Sequence, residues 1–140
     1  MRISVTGLGI VSAIGMDLET NHSSLLNLTS GISTIELLKG LEQEFFGGEI
    51  KLTNQQLAEI AFGEKQNELL PRSLLLSLIA AKQAWGTNTI SPKIKTVIIG
   101  ATTIGGMDLT EEYFKTKQSI HTLEHHPCGV ITDYLADYFH

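Results

Sequence analysis

The chain has 140 residues, of which 42% are hydrophobic and 18% charged, with a formal net charge of -5 and a pI of about 5.4. That is the length of one ordinary domain with enough apolar residues to build a core, which excludes a disordered segment. Lys and Arg are scattered rather than gathered into a stripe, and no apolar run nears the roughly 20 residues of a membrane span, so neither nucleic acid nor a bilayer is an expected partner.

The opening Met1-Arg2-Ile3-Ser4-Val5-Thr6-Gly7 lacks the charged and apolar regions of a secretory signal, which points to a cytoplasmic protein. The two glycosylation-type triplets at Asn21 and Asn27 are then chance matches. Residues 3–6 read as a short strand running into Gly7-Leu8-Gly9, where a side chain would obstruct a tight turn or a close backbone approach. Asp17 is placed to N-cap a helix over about 18–28, with Leu18, Leu25, Leu26 and Leu28 as its apolar side. Phe45 to Ile50 reads as a strand interrupted by Gly47-Gly48, and Asn54 to Ala61 as a short helix. Pro71 opens the clearest helix, 72–85. It has Leu74, Leu78, Ala81 and Trp85 on one face, Leu75 and Ile79 beside them, and Gly86 at the left-handed C-terminal position.

Pro92 separates that helix from a second strand, Thr96-Val97-Ile98-Ile99-Gly100, whose unbroken β-branched run marks a strand covered on both faces. Asp108 and Glu111 have capping-box spacing for a helix to about 118. A last helix, about 129–139, carries Val130, Ile131, Tyr134, Leu135, Tyr138 and Phe139, and its apolar face calls for a covering that a longer protein would supply. This order of elements argues for an α/β layer with a parallel sheet. An uncovered half-layer of this kind should associate.

Four segments bear on chemistry. Thr6 to Ser12 partly matches a dinucleotide fingerprint, but Ser12 stands where the pattern takes Gly or Ala and no acid-ended second strand follows. A structural strand-to-loop turn is the better reading. His121, His125 and His126 with Glu124 and Cys128 lack the distant second ligand pair of a zinc site, and read as a solvated loop before Pro127. Cys128, the single cysteine, precedes a helix start that would favour a thiolate, though most lone cysteines are small buried residues. Gly100 to Met107 follows a strand at its C-terminal end, where open α/β sheets bind ligands; glycines there equally suit a tight connection.

Arg2 to Gly15, and Val5-Thr6-Gly7-Leu8-Gly9-Ile10-Val11-Ser12 above all, closely resembles the start of the β-ketoacyl-(acyl carrier protein) synthase family. Ser30-Gly31-Ile32, Ala80-Ala81-Lys82-Gln83-Ala84-Trp85 and Val97 to Gly106 resemble further segments of that family, in the same order. Residues 36–68 and those from 119 match poorly, and Leu70-Pro71 precede Arg72 where the family pattern carries an Asp before the arginine.

The resemblance implies an α/β chain that is an incomplete N-terminal half of a thiolase-like fold, a layered sheet with helices on both faces. It implies decarboxylative condensation of acyl and malonyl thioesters in fatty-acid or polyketide-type biosynthesis, without cofactor or metal. The expected partners are acyl carrier protein, its acyl and malonyl thioesters, and a second subunit in a homodimer or heterodimer. The family's nucleophilic cysteine follows a helix like that at 129–139, so Cys128 does not stand in its place and no catalytic residue falls within 1–140. The chain alone is therefore expected to be inactive. Ile104, Gly105 and Gly106 are the residues carried over, as the turn lining the acyl pocket near the dimer interface. A non-catalytic acyl-binding or chain-length-factor-like partner is the alternative.

Overall fold

A computed structural model of the chain describes residues 2–38, 40, 42–64, 69–87, 95–117 and 120–139, with backbone alone at 120–122. It is a mixed helix and sheet protein with, among the described residues, five α-helices and a two-stranded sheet. The residues form two compact units, Met1–Thr53 with Ile79–Gly86, and Asn54–Leu78 with Thr87–His140.

In the first unit, α1 (Leu18–Leu26) begins at a full capping box: the Asp17 carboxylate accepts from the Thr20 N–H at 2.7 Å and the Asp17 N–H donates to the Thr20 hydroxyl. Its leucines do not face a core. Leu18, Leu25 and Leu26 are exposed and Leu28 is 91% exposed, while Asn21 is the helix's buried residue. Polar bonds hold the helix instead. Asn21 Nδ2 donates to the Gly15 and Asp17 carbonyls, Asn21 Oδ1 accepts from the Ser12 hydroxyl, and Ser24 Oγ donates to the Ile14 carbonyl.

The sheet also departs from expectation. β1 (Ile32–Thr34) pairs antiparallel with β2 (Phe46–Gly48), Ser33 opposite Gly47. The Glu49 carboxylate secures its end by accepting from the Glu36 and Leu37 N–H groups. The expected parallel strands at 3–6 and 96–100 form no ladder with any described residue. Strand propensity there meets no paired neighbour, and Ile3 and Val5, like Val97 and Ile99, are exposed.

The second unit holds α2 (Asn54–Phe62), the first half of α3 (Arg72–Trp85), α4 (Met107–Thr116), a 3-10 turn (Ile120–His125) and α5 (Gly129–Tyr138). Its buried residues follow the helical spacing: Leu57, Ala58 and Ala61, then Leu70, Leu74, Leu75 and Leu78, then Leu109, Ile131 and Leu135. Ala81 and Trp85 are only half-buried, and Gly86 takes the left-handed conformation expected of it. α4 starts at Met107 behind Gly106, so Asp108 lies inside the helix and does not cap it. Among the described residues no helix is long and apolar enough to cross a membrane. Pro92, the expected separator, and His140 lie outside the described residues, as does the side chain of His121.

Candidate functional site

The opening glycines belong to close packing. A Cβ on Gly7 would overlap the Ala84 carbonyl, and one on Gly9 the Ala80 carbonyl, so the segment lies directly on the backbone of α3 where that helix carries alanines. Gln83 joins the two: its Oε1 accepts from the Ile10 N–H at 3.1 Å and its Nε2 donates to the Met16 carbonyl at 2.7 Å. An amide does both and a carboxylate could only accept. Backbone atoms fill the space beside these glycines, as the structural-turn reading of the fingerprint requires.

The second glycine pair forms the acyl-pocket candidate, within the second unit. Gly105 and Gly106 are buried, whereas Ile104 is 59% exposed and stands clear of the turn. Gly105 has a φ of +52°, and a Cβ on either glycine would collide with the His126 or His125 carbonyl. The Gly106 N–H donates to the His126 carbonyl at 3.2 Å. Thr110 Oγ1 bonds both the Gly106 carbonyl at 3.2 Å and His126 Nδ1 at 2.8 Å. The segment before Pro127, expected to be a solvated loop, is thus a 3-10 turn whose following carbonyls pack on the glycines, although His126 itself is exposed.

A polar network lies behind this turn. Asp108 Oδ2 accepts from the Arg72 N–H at 2.8 Å and from Asn54 Nδ2 at 3.0 Å, and Arg72 Nη1 donates to Asn54 Oδ1 at 3.3 Å. Ser73 Oγ donates to the Gly105 carbonyl at 2.5 Å. Pro71 provides no side-chain acceptor at the start of α3, and the carboxylate reaches in from α4 to fill that role, where the helix dipole favours it. Sequence patterns assigned none of Asn54, Ser73 or Thr110 a role at this site and gave Asp108 a different partner. The signal that could have found them is Pro71, which opens a helix with no capping side chain of its own.

Of the other candidates, Cys128 is exposed at the N-cap position of α5, without a side-chain cap bond. Among the described residues, no three His, Cys, Asp or Glu side chains are gathered as a metal ion would need. An open hollow of about 490 Å³ lies in the first unit, lined by Thr34, Ile35, Glu42 and Glu44 among others, and no candidate residue read from the sequence is in its lining. Compared with known protein families, with curated proteins and with solved structures, the chain matches none.

Proposed function

We propose that the chain is the N-terminal portion of a 3-oxoacyl-(acyl carrier protein) synthase, an acyltransferase of the thiolase-like fold acting in the cytoplasm. Residues 1–140 contribute scaffold and part of an acyl pocket, and the nucleophile and the C-terminal half of the fold belong to chain that is not among them. The observation that carries this reading is the seating of Gly7 and Gly9 on Ala84 and Ala80. Two segments that resemble the family, more than 70 residues apart in sequence, use their small residues against each other. The glycine turn at 104–106 supports it further: Gly105 and Gly106 are held down by neighbouring backbone, and Ile104 is left free to meet an acyl chain.

On this reading acyl and malonyl thioesters of acyl carrier protein are the substrates, and a second subunit completes the pocket. The chain's own residues supply a hydrophobic wall at Ile104, and Cys128 does not stand at the nucleophile's position.

The test is photolabelling of the 140-residue chain with an octanoyl pantetheine carrying a diazirine at its tail. Label at Ile104 to Met107 is the expected result. Label spread evenly over the exposed leucines of α1 would sink the assignment. The same protein, supplied with acyl and malonyl carrier thioesters, should form no β-ketoacyl product; measurable product would overturn the claim that the nucleophile lies elsewhere.

A further inference from the structure

We infer that Ser73 and Asp108 are positioning residues for acyl-chain selection, because they tie the turn carrying Ile104 to the first turn of α3. The inference rests on the reading of Ile104 as an acyl-pocket residue.

The turn is held on both sides. On one side, the carbonyls of His125 and His126 lie against Gly105 and Gly106. On the other, the Ser73 hydroxyl donates to the Gly105 carbonyl, immediately after Ile104 in the chain. Asp108, two residues past Gly106, is fixed by the Arg72 N–H and by Asn54. The Ser73 hydroxyl and the Arg72 N–H therefore hold the two sides of the turn from consecutive residues at the start of α3.

That helix end is a firm reference. Leu74, Leu75 and Leu78 of the same helix are buried, and Ser77 Oγ returns a bond to the Ser73 carbonyl at 2.7 Å. Ile104 itself is mostly exposed, so its own packing does little to fix it. Its position follows from the backbone on which it stands, and that backbone is set by Ser73 and Asp108. A longer acyl chain would need the Ile104 side chain displaced, and displacement pulls on these contacts.

The experiment compares Ser73→Ala, Ser73→Thr and Asp108→Ala with the unaltered 140-residue chain. The first readout is amide exchange of peptides covering residues 100–110 and 12–24. Loss of one hydrogen bond, worth ~1 kcal/mol net, should speed exchange at 100–110 about fivefold in Ser73→Ala. Residues 12–24 should be unchanged, and Ser73→Thr, which keeps the hydroxyl, should restore protection.

The second readout is the labelling yield at Ile104 with butyryl, octanoyl and dodecanoyl diazirine probes, which should move toward the longest chain in Ser73→Ala and Asp108→Ala. Unchanged exchange at 100–110 would show that neither residue anchors the turn. Faster exchange with an unaltered chain-length profile would show anchoring without selection, and would overturn the inference while leaving the acyl-pocket reading intact. Absence of label at Ile104 in the unaltered chain would remove that reading, and with it the selection role.

Discussion

Asn21 is the residue on which the first unit's helix depends most visibly, and Asn21→Ala should lower that unit's stability by about 2–3 kcal/mol. The side chain is 3% exposed and makes three hydrogen bonds: two donated to the Gly15 and Asp17 carbonyls at 2.8 and 2.7 Å, one accepted from Ser12. Each is worth ~1 kcal/mol net. Removing the amide orphans neither carbonyl. The Gly15 carbonyl keeps the Ser12 N–H and the Asp17 carbonyl keeps the Asn21 N–H, while the Ser12 hydroxyl still accepts from the Ile14 N–H but loses the acceptor of its own hydrogen, on a residue still partly open to solvent. The loss therefore stays near the sum of net bond energies and does not rise to full desolvation penalties.

Asn21→Asp should be worse at neutral pH, since a carboxylate would face two carbonyls where an amide had donated. Both that repulsion and burial raise the new acid's folded-state pKa, so the penalty is full above that pKa and is relieved as pH falls through it. Trp85, the chain's single tryptophan, belongs to this unit and reports its unfolding in urea. With a slope of about 1–3 kcal/mol per molar, the Asn21→Ala midpoint should fall by roughly 0.7–3 M. A drop under about 0.5 kcal/mol, or an Asn21→Asp protein as stable as the parent at neutral pH, would refute the view that polar bonds hold α1.

Asp17 gives a pH signature. The Thr20 N–H, then the Thr20 hydroxyl, hold its carboxyl below the ordinary 3.8, so its contribution to α1 is present above that value and lost as pH falls through the lowered one. Amide exchange across 18–26 should rise in that acid range, and Asp17→Asn should flatten the dependence. Gln83→Glu replaces a donor to the Met16 carbonyl with an acceptor and should cost about 1–3 kcal/mol at neutral pH, measured by the same urea titration. Gly105→Ala places a Cβ against the His126 carbonyl at a positive φ, and should lower the thermal midpoint of the second unit far more than Ala substitution at exposed Gly129, where the space is open. Val97 and Ile99, at 78% and 91% exposure, should promote concentration-dependent association, and the double change to Lys should reduce it in sedimentation velocity.

Elements whose cause is local were legible in the sequence. α3 falls on residues 72–85 because a run of leucines at helical spacing lies between Pro71 and Gly86, and each of those signals acts within a few residues. The start of α1 was legible for the same reason, since Asp17 caps it from its own position. The face that α1 buries was not. Leucine spacing marks an apolar side, but the helix is held by Asn21 and Ser24, whose partners lie in a loop that no periodicity describes. β1 was missed because three residues are too few for alternation to register, while β2 was visible only as part of a longer run around Gly47-Gly48.

The candidate site divides along the same line. Gly105 and Gly106 announced a tight turn, and the turn is there; what they pack against, the carbonyls of His125 and His126, lies some 20 residues on in a segment read as free loop. Asp108 shows the limit most clearly. Its spacing to Glu111 made it a cap for its own helix, yet its carboxylate accepts from the Arg72 N–H at the start of α3, where a proline stands at the N-cap, and leaves α4 without a side-chain cap. Pro71 leaves its helix start without a side-chain acceptor, and Ser73 and Asp108 turn that helix start into the support of the Ile104 turn. Pro71 and the residues that hold the turn at Gly105 and Gly106 are thereby parts of one arrangement. An acidic residue at position 71 would cap the Ser73 or Leu74 N–H and set a second carboxylate beside Asp108, loosening the turn from the other end.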